Sequence, residues 1–312
     1  MRAIEPQAVI EIGSRAVRLL VAEVDGKRLT PLLTRSHETR MMGRLGGSAD
    51  ELAALTEELR QTVTEFEDLA KRHARRVEIF GTEAVRRLVA SGAAHDDPLL
   101  ARVRVLSTEE EARCSTRAAL TSASHSVRGA VLVVDQGGGS VELIEAIAGE
   151  TVEVLRTHSL KLGADVLLAR FRSLSMDFAA LKESLAAEMA TNEPARHFTA
   201  AFGLGSVATK CGWLFSNPPE GTRYSAKRAQ GAHITVQNMR ALVELFLLTP
   251  YEKWEPWRAK FDPANPISDD LERVVTGAVV LLLLLETYRL DHFVVSTMGT
   301  RHGYLIASHD AG

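Results

Sequence analysis

The sequence predicts an α/β protein made from one α/β unit used twice. Two observations support this. Strand-like apolar runs alternate with helical runs along the chain, the pattern of layered α/β folds. In addition, residues 8–26, AVIEIGSRAVRLLVAEVDG, are echoed by residues 130–149, AVLVVDQGGGSVELIEAIAG. After a short slip Glu11 falls on Asp135, Gly13 on Gly137, Val17 on Val141 and Leu19 on Leu143. Internal similarity of this kind indicates a duplicated unit.

Each copy reads as an apolar strand, an acid, a glycine-containing turn and a second apolar strand. A further turn follows (Asp25-Gly26, Gly149-Glu150), then a third β-rich piece at 28–33 or 151–155. Strands bounded by such turns are expected to form antiparallel hairpins. A long helix follows the first copy, from Ala49 to about Arg75, opened by the S-x-x-E capping box of Ser48 and Glu51. Next come a strand at 77–80, a helix at 83–90, a strand at 103–106 and a helix from Glu109 to about Ser122. After the second copy, helical segments fill about 161–192, a strand at 200–203 enters GLGSVATK, and a last strand at 292–296 enters MGTRHGYL. The run VVTGAVVLLLLL at 274–285 is closed by Arg273 and Glu286. It is shorter than the roughly 18 residues of a membrane span, so a buried core helix is expected. The domain boundary is expected near 125–129. It gives a first domain of 1–127, with residues 303–312 packed on it as a helix, and a second of 128–302. Residues 214–231 and 261–269 read as mobile loops.

Composition narrows the function. The chain has 312 residues, a length suited to two domains, and a formal net charge of −3. A general nucleic-acid binder would carry a strongly basic balance, so none is expected. A polyanionic ligand in a local basic cleft remains compatible with this charge. The two cysteines, Cys114 and Cys211, form neither a metal spacing nor a disulfide framework. They suit a reducing compartment. The N-terminal segment shows no long apolar signal region. A soluble cytoplasmic protein without a membrane partner is the expectation.

The stretch VVDQGGGSVE carries the chemistry. Glycines after a strand expose consecutive N–H groups that a bulky anion can approach closely. Asp135 alone would repel phosphate. With Mg²⁺ it becomes useful, because hard cations take carboxylate and phosphate oxygens together. Glu142, on the outgoing strand, could reach the same ion. A lone glycine turn is also what a plain hairpin needs. Two acid-and-turn loops at matching places in two halves point further, to one phosphate chain held from both sides.

The ordered segments IEIGSRAVRLLV, FGTEAVRR, VLSTEEEAR, VVDQGGGSVEL, SLKLGADVLLARF, GLGSVAT and MGTRHGYL resemble the motifs of the exopolyphosphatase/guanosine-pentaphosphate phosphohydrolase family. That family lies in the actin/Hsp70/sugar-kinase superfamily. The resemblance implies two duplicated actin-like (ribonuclease H-like) domains with a cleft between them. It implies a magnesium- or other divalent-cation-dependent hydrolase that removes terminal phosphate from inorganic polyphosphate or guanosine pentaphosphate. A homodimer is a family-level expectation.

Carried over by motif, Glu111 is the candidate base for water and Arg86 the clamp on phosphoryl oxygens, a task suited to guanidinium. Gly13, Ser14 and Arg15 belong to the first phosphate loop, and Gly137, Gly138, Gly139 and Ser140 to the second. Gly205 and Ser206 add donors at a third strand end. Asp135 and Glu142 are the metal candidates. Ser107 and Glu110 have capping-box spacing, which makes Glu110 structural. Glu109 and Arg87 are expected to face solvent, and the basic run 71–76 to be a helix C-terminus. The sequence departs from the family pattern at Glu11 (usually Asp), at Arg15-Ala16 (usually Asn with Ser or Thr), at Gln136 (usually aliphatic) and at His302 (usually Glu). Arg15 either binds substrate phosphate or pairs with Glu11 or Asp135 and occupies the site. The alternatives to a hydrolase are a catalytically weakened sensor of polyphosphate or guanosine tetra- and pentaphosphate, and a superfamily kinase, for which no adenosine pocket is evident.

Overall fold

Strand alternation and turn chemistry decide the architecture. The computed structural model describes residues 4–26, 28–92, 97–123, 126–189, 196–216, 222, 224–261 and 269–310. In chain order its strands and α-helices are β1 (Gln7–Ile12), β2 (Ala16–Asp25), β3 (Arg28–Glu38), α1 (Met41–Arg44), α2 (Ala49–Lys71), β4 (Arg76–Gly81), α3 (Glu83–Ala90), β5 (Arg104–Val105) and α4 (Thr108–Leu120). There follow β6 (Gly129–Gln136), β7 (Val141–Ala148), β8 (Val152–Leu160), α5 (Ala164–Ser173), α6 (Phe178–Met189), β9 (Ala200–Leu204) and α7 (Gly205–Phe215). The last are α8 (Ala226–Ala229), β10 (His233–Thr235), α9 (Val236–Leu248), α10 (Glu255–Phe261), α11 (Asp270–Thr287), β11 (His292–Val295) and α12 (Thr300–Asp310).

The chain divides into two units, Met1–Ala118 with Thr300–Gly312, and Ala119–Gly299. The first holds a five-stranded sheet of order β3-β2-β1-β4-β5, the second a six-stranded sheet of order β10-β11-β9-β6-β7-β8. In both, a three-stranded antiparallel meander (β1–β3, β6–β8) is extended by parallel strands beside its first member. The duplication is therefore one of topology as well as sequence.

In the first sheet Ala8, Ile10 and Ile12 face a core shared with Leu55, Leu59 and Val63 of α2. Val9, Leu20 and Phe80 face the other side, where Tyr304, Leu305 and Ile306 of α12 pack. Strand period two dictates this split. In the second unit α11 is buried on nearly every side, lying among α5, α7 and α9, as its unbroken apolar run requires. Among the described residues no helix is long and apolar enough to cross a membrane.

Several boundaries differ from the sequence expectation. α2 stops at Lys71, not near Arg75, and Arg76 already belongs to β4. The basic run 71–76 is thus split between a helix end and a strand. The third strands run on to Glu38 and Leu160, because their partners in the meander continue that far. The helical stretch 161–192 is two helices, broken where Ser175 and Met176 adopt left-handed backbone with φ of 53° and 63°. The short β10 was not expected; three residues carry too little periodicity to be read. Of the two expected loops, 217–221, 223 and 262–268 lie outside the described residues. Ser124 and His125, at the expected boundary, do so as well.

Candidate active site: two loops of one design

The two phosphate-loop candidates have the same backbone. Gly13 N–H donates to the Ala16 carbonyl at 3.1 Å, and Gly137 N–H to the Ser140 carbonyl at 2.9 Å, each closing a four-residue turn. This corrects the expectation that the Gly13 and Gly137 amides face a ligand, since both are used to close their own turns. The amides a ligand can use belong to the residues inside each turn. Each turn is also held from behind. In the first, the Arg15 carbonyl accepts from Thr39 and Arg40, and the Ser14 carbonyl from Met42. In the second, the Gly137 and Gly138 carbonyls accept from Ala164 and Asp165, at the start of α5, both at 2.9 Å. Gly163 is required there. A Cβ on it would lie 2.3 Å from the Gly138 carbonyl oxygen and the Ser140 nitrogen. A preorganised loop of this kind presents donors without first having to order them.

The ladder registers set the charges. Directly opposed residues in an antiparallel pair share a face. Glu11 is opposite Arg18, whereas Asp135 is opposite Glu142. Glu11 is buried, 7% exposed. Its Oε2 lies 3.2 Å from Arg301 Nη1 and 3.8 Å from Arg18 Nη1. Burial pushes the Arg301 guanidinium below its usual range, and the Glu11 charge opposes that shift. The first loop's acid is therefore neutralised by protein cations. Arg18 and Arg301, which sequence reasoning did not single out, do this work; strand register brings Arg18 opposite Glu11, and the packing of α12 on β1 brings Arg301 from the far end of the chain. Arg15 Nε donates to Glu38 at 2.7 Å.

In the second loop two carboxylates stand side by side, and Ser159 Oγ donates to Glu142 Oε1 at 3.1 Å. Two opposed acids and a hydroxyl on one sheet face form an all-oxygen donor set. This fits a hard divalent cation such as Mg²⁺, which keeps several waters and takes one or two carboxylates. Among the described residues no cluster of three or more His, Cys, Asp or Glu side chains is arranged for a metal. Gln136, next to Asp135, turns to the opposite face and is fully buried, with its Nε2 3.5 Å from the Leu162 carbonyl. Gly205, at the head of α7, has φ of +90° and bridges to Gln136. Ser206 follows it in the first turn of the helix. His302 is buried in α12.

Arg86 and Glu111 come together in the first unit. Both guanidinium nitrogens Nη1 and Nη2 of Arg86 lie 3.2 Å from Glu111 Oε2. Arg86 also donates to the Leu106 carbonyl. α3 supplies the arginine and the first turn of α4 the acid. Ser107 and Glu110 form the capping box that starts α4, with bonds of 2.9 and 3.1 Å. Glu110 is thus structural; the Ser107 amide and then Arg104 hold its carboxyl below the usual range. Glu109 pairs with Arg113, and Arg87 with Glu83, on exposed helix faces.

Two α/β units, each a meander extended by parallel strands and each with a buttressed glycine turn in its first hairpin, define the actin-like fold. The sequence model of the Ppx/GppA phosphatase family matches residues 20–311, and the chain belongs to that family. The Ppx/GppA family member from Aquifex aeolicus has the same fold, with a TM-score of 0.72, 24% identity and coverage of 99% of both chains. An exopolyphosphatase from Cytophaga hutchinsonii superposes with a TM-score of 0.67 at 18% identity, covering 98% of both chains. Exopolyphosphatase 2 of Mycobacterium tuberculosis is 31% identical over 176 residues, 52% of this chain and 54% of that protein. The chain spans about half the length of the curated relatives it matches.

Proposed function

We propose that the chain is a phosphohydrolase that releases terminal orthophosphate from inorganic polyphosphate, with guanosine pentaphosphate as a second substrate carrying the same terminal anhydride. The observation that carries this reading is the Arg86–Glu111 pair at 3.2 Å, set at the head of α4. A phosphoryl group competes with Glu111 for the Arg86 guanidinium, because both offer the paired oxygens it binds. Exchange of partners leaves the Glu111 carboxylate to accept a proton from water. The water oxygen attacks the terminal phosphorus in line, and the bridging oxygen leaves with the shortened chain. Amides inside the glycine turn of the first unit, at the end of β1, are the donors for non-bridging oxygens as charge builds on them. Asp135 and Glu142 would hold a divalent cation, which would supply positive charge to phosphoryl oxygens. This reading is supported by family membership and by the exopolyphosphatases among the relatives.

The test is orthophosphate release from both substrates, side by side, with and without a chelator. Glu111→Gln is expected to lower the rate by about 10²–10⁴-fold, the usual worth of a general base. Release unchanged in that variant removes Glu111 from the role.

A second reading, a sensor that binds these anions without turnover, is favoured by one observation: the acid of the first loop is committed to Arg18 and Arg301. Calorimetric binding without phosphate release, with hydrolysis gained on Glu11→Asp together with Arg15→Asn, would establish it.

A further inference from the structure

The first unit has a depression of about 400 Å³ on the face of α4 that carries Glu110, lined by β4, β5, α4 and α12. The volume is that of a small-molecule site. Four arginines line it, Arg76, Arg104, Arg113 and Arg117, against two acids, Glu78 and Glu110, a balance of 4 − 2 = +2.

The two acids are already committed. Glu78 accepts from the Tyr304 hydroxyl at 2.6 Å and pairs with Arg76 at 3.0 Å. Glu110 pairs with Arg104 at 2.7 Å and accepts from the Ser107 amide at 2.9 Å. Arg104 also lies over the Tyr304 ring, 5.6 Å from its centroid. Of the two remaining arginines, Arg113 and Arg117, the second carries the uncompensated charge. These stand four residues apart on one helix face, an arrangement that destabilises a helix unless an anion compensates it. Arg113 reaches Glu109 outside the depression. Among the described residues no carboxylate lies within ion-pair distance of Arg117.

From this geometry we infer a second anion site in the first unit, which takes a diphosphate group between Arg113 and Arg117 of α4 and Arg104 of β5. Forked guanidinium donors match phosphoryl oxygens in pairs, and three of them lining one depression from two elements suit two linked phosphates, which would compete with Glu110 and Glu109 for Arg104 and Arg113. The site is separate from the Arg86–Glu111 pair: Glu110 and Glu111 are consecutive on α4, and each is bonded to a different arginine. The ligand is either a free inorganic diphosphate or the diphosphate of a nucleotide.

Calorimetry in chelator-containing buffer tests this, with sodium pyrophosphate and GDP as probes. The proteins are the wild type, Arg113→Gln/Arg117→Gln and Arg86→Ala. The expected result is a binding event kept in Arg86→Ala and weakened at least about tenfold in the double variant, since loss of two charge-assisted contacts is worth more than one decade. Tighter binding of GDP identifies a nucleotide as the ligand, and equal binding identifies the bare diphosphate. Circular dichroism and a melting curve show whether the double variant is folded, and Arg117→Lys, which keeps the charge, restores part of the affinity. Pyrophosphate binding that is lost in Arg86→Ala and untouched in the double variant overturns the inference, as does a wild type that binds neither probe at about 1 mM, the affinity of a few weak contacts.

Discussion

A single register position separates the two loops. Opposite the acid stands an arginine in one loop (Arg18) and a second acid in the other (Glu142), which makes the second the candidate for a divalent cation in the proposed function. Asp135→Asn/Glu142→Gln is accordingly expected to abolish the dependence of phosphate release on added divalent ion while leaving the fold intact, checked by a metal titration of the rate. Arg301→Met should strip Glu11 of its nearer partner. Breaking a buried ion pair costs about 3 kcal/mol, to be read from urea denaturation, and Glu11→Gln in the same protein should recover part of it. Glu38 gives a pH test. Burial pushes its carboxyl up, but bonds from Arg15 and then Arg40 outweigh this and hold it below the ordinary value. A depressed carboxylate contributes stability above its unfolded pKa, about 4.3 for Glu, and loses it as pH falls through the folded value. The melting temperatures of wild type and Glu38→Gln should therefore differ by a constant amount from about pH 5 to 8 and converge below about pH 4. Burial also pushes the Cys114 thiol up to about 11 and Cys211 to about 12, so neither should react with a disulfide reagent near pH 8 until the protein unfolds.

At the scale of elements, what could be read from sequence was whatever has local chemistry. The capping box of Ser48 and Glu51 fixed the start of α2 at the residue, because both bonds lie within four positions. Ser48→Ala should cost about 1 kcal/mol in urea denaturation. The start of α4 was legible to within one residue for the same reason. Helix ends were less so. The basic run after α2 continues a favourable helical composition past Lys71, and only the pull of β4 toward β1 ends it. The turn motifs were visible as glycines, but which amides face outward was not, because a closing bond at Gly13 and Gly137 leaves no mark in composition. Long-range partners such as Arg301 for Glu11, 290 positions away, were invisible to any local pattern. Gly205→Ala should damage the second unit more than any local reading suggests. It combines a φ of +90° with a Cβ 2.1 Å from the Gln136 carbonyl oxygen, and lower soluble yield with a reduced melting temperature is the expected outcome.

At the scale of the whole molecule, the duplicated topology was legible because the meander repeats its acid, turn and strand in order, whereas the path of the chain was less obvious. It leaves the first unit after residue 118 and comes back at residue 300. The returning segment, α12, is part of that unit's interior. Gly303 lies so close to the Cys114 carbonyl that a Cβ would sit 1.8 Å from it, and Tyr304 stacks on Phe80 with centroids 4.8 Å apart. This has a consequence for biosynthesis. While the ribosome works through residues 119–299, the amino-terminal sheet has one face uncovered, with Val9, Leu20 and Phe80 open to water. The middle of the chain can complete its own fold earlier than the beginning can. A fragment ending at residue 118 should stay aggregation-prone until a peptide spanning 300–310 is supplied in trans.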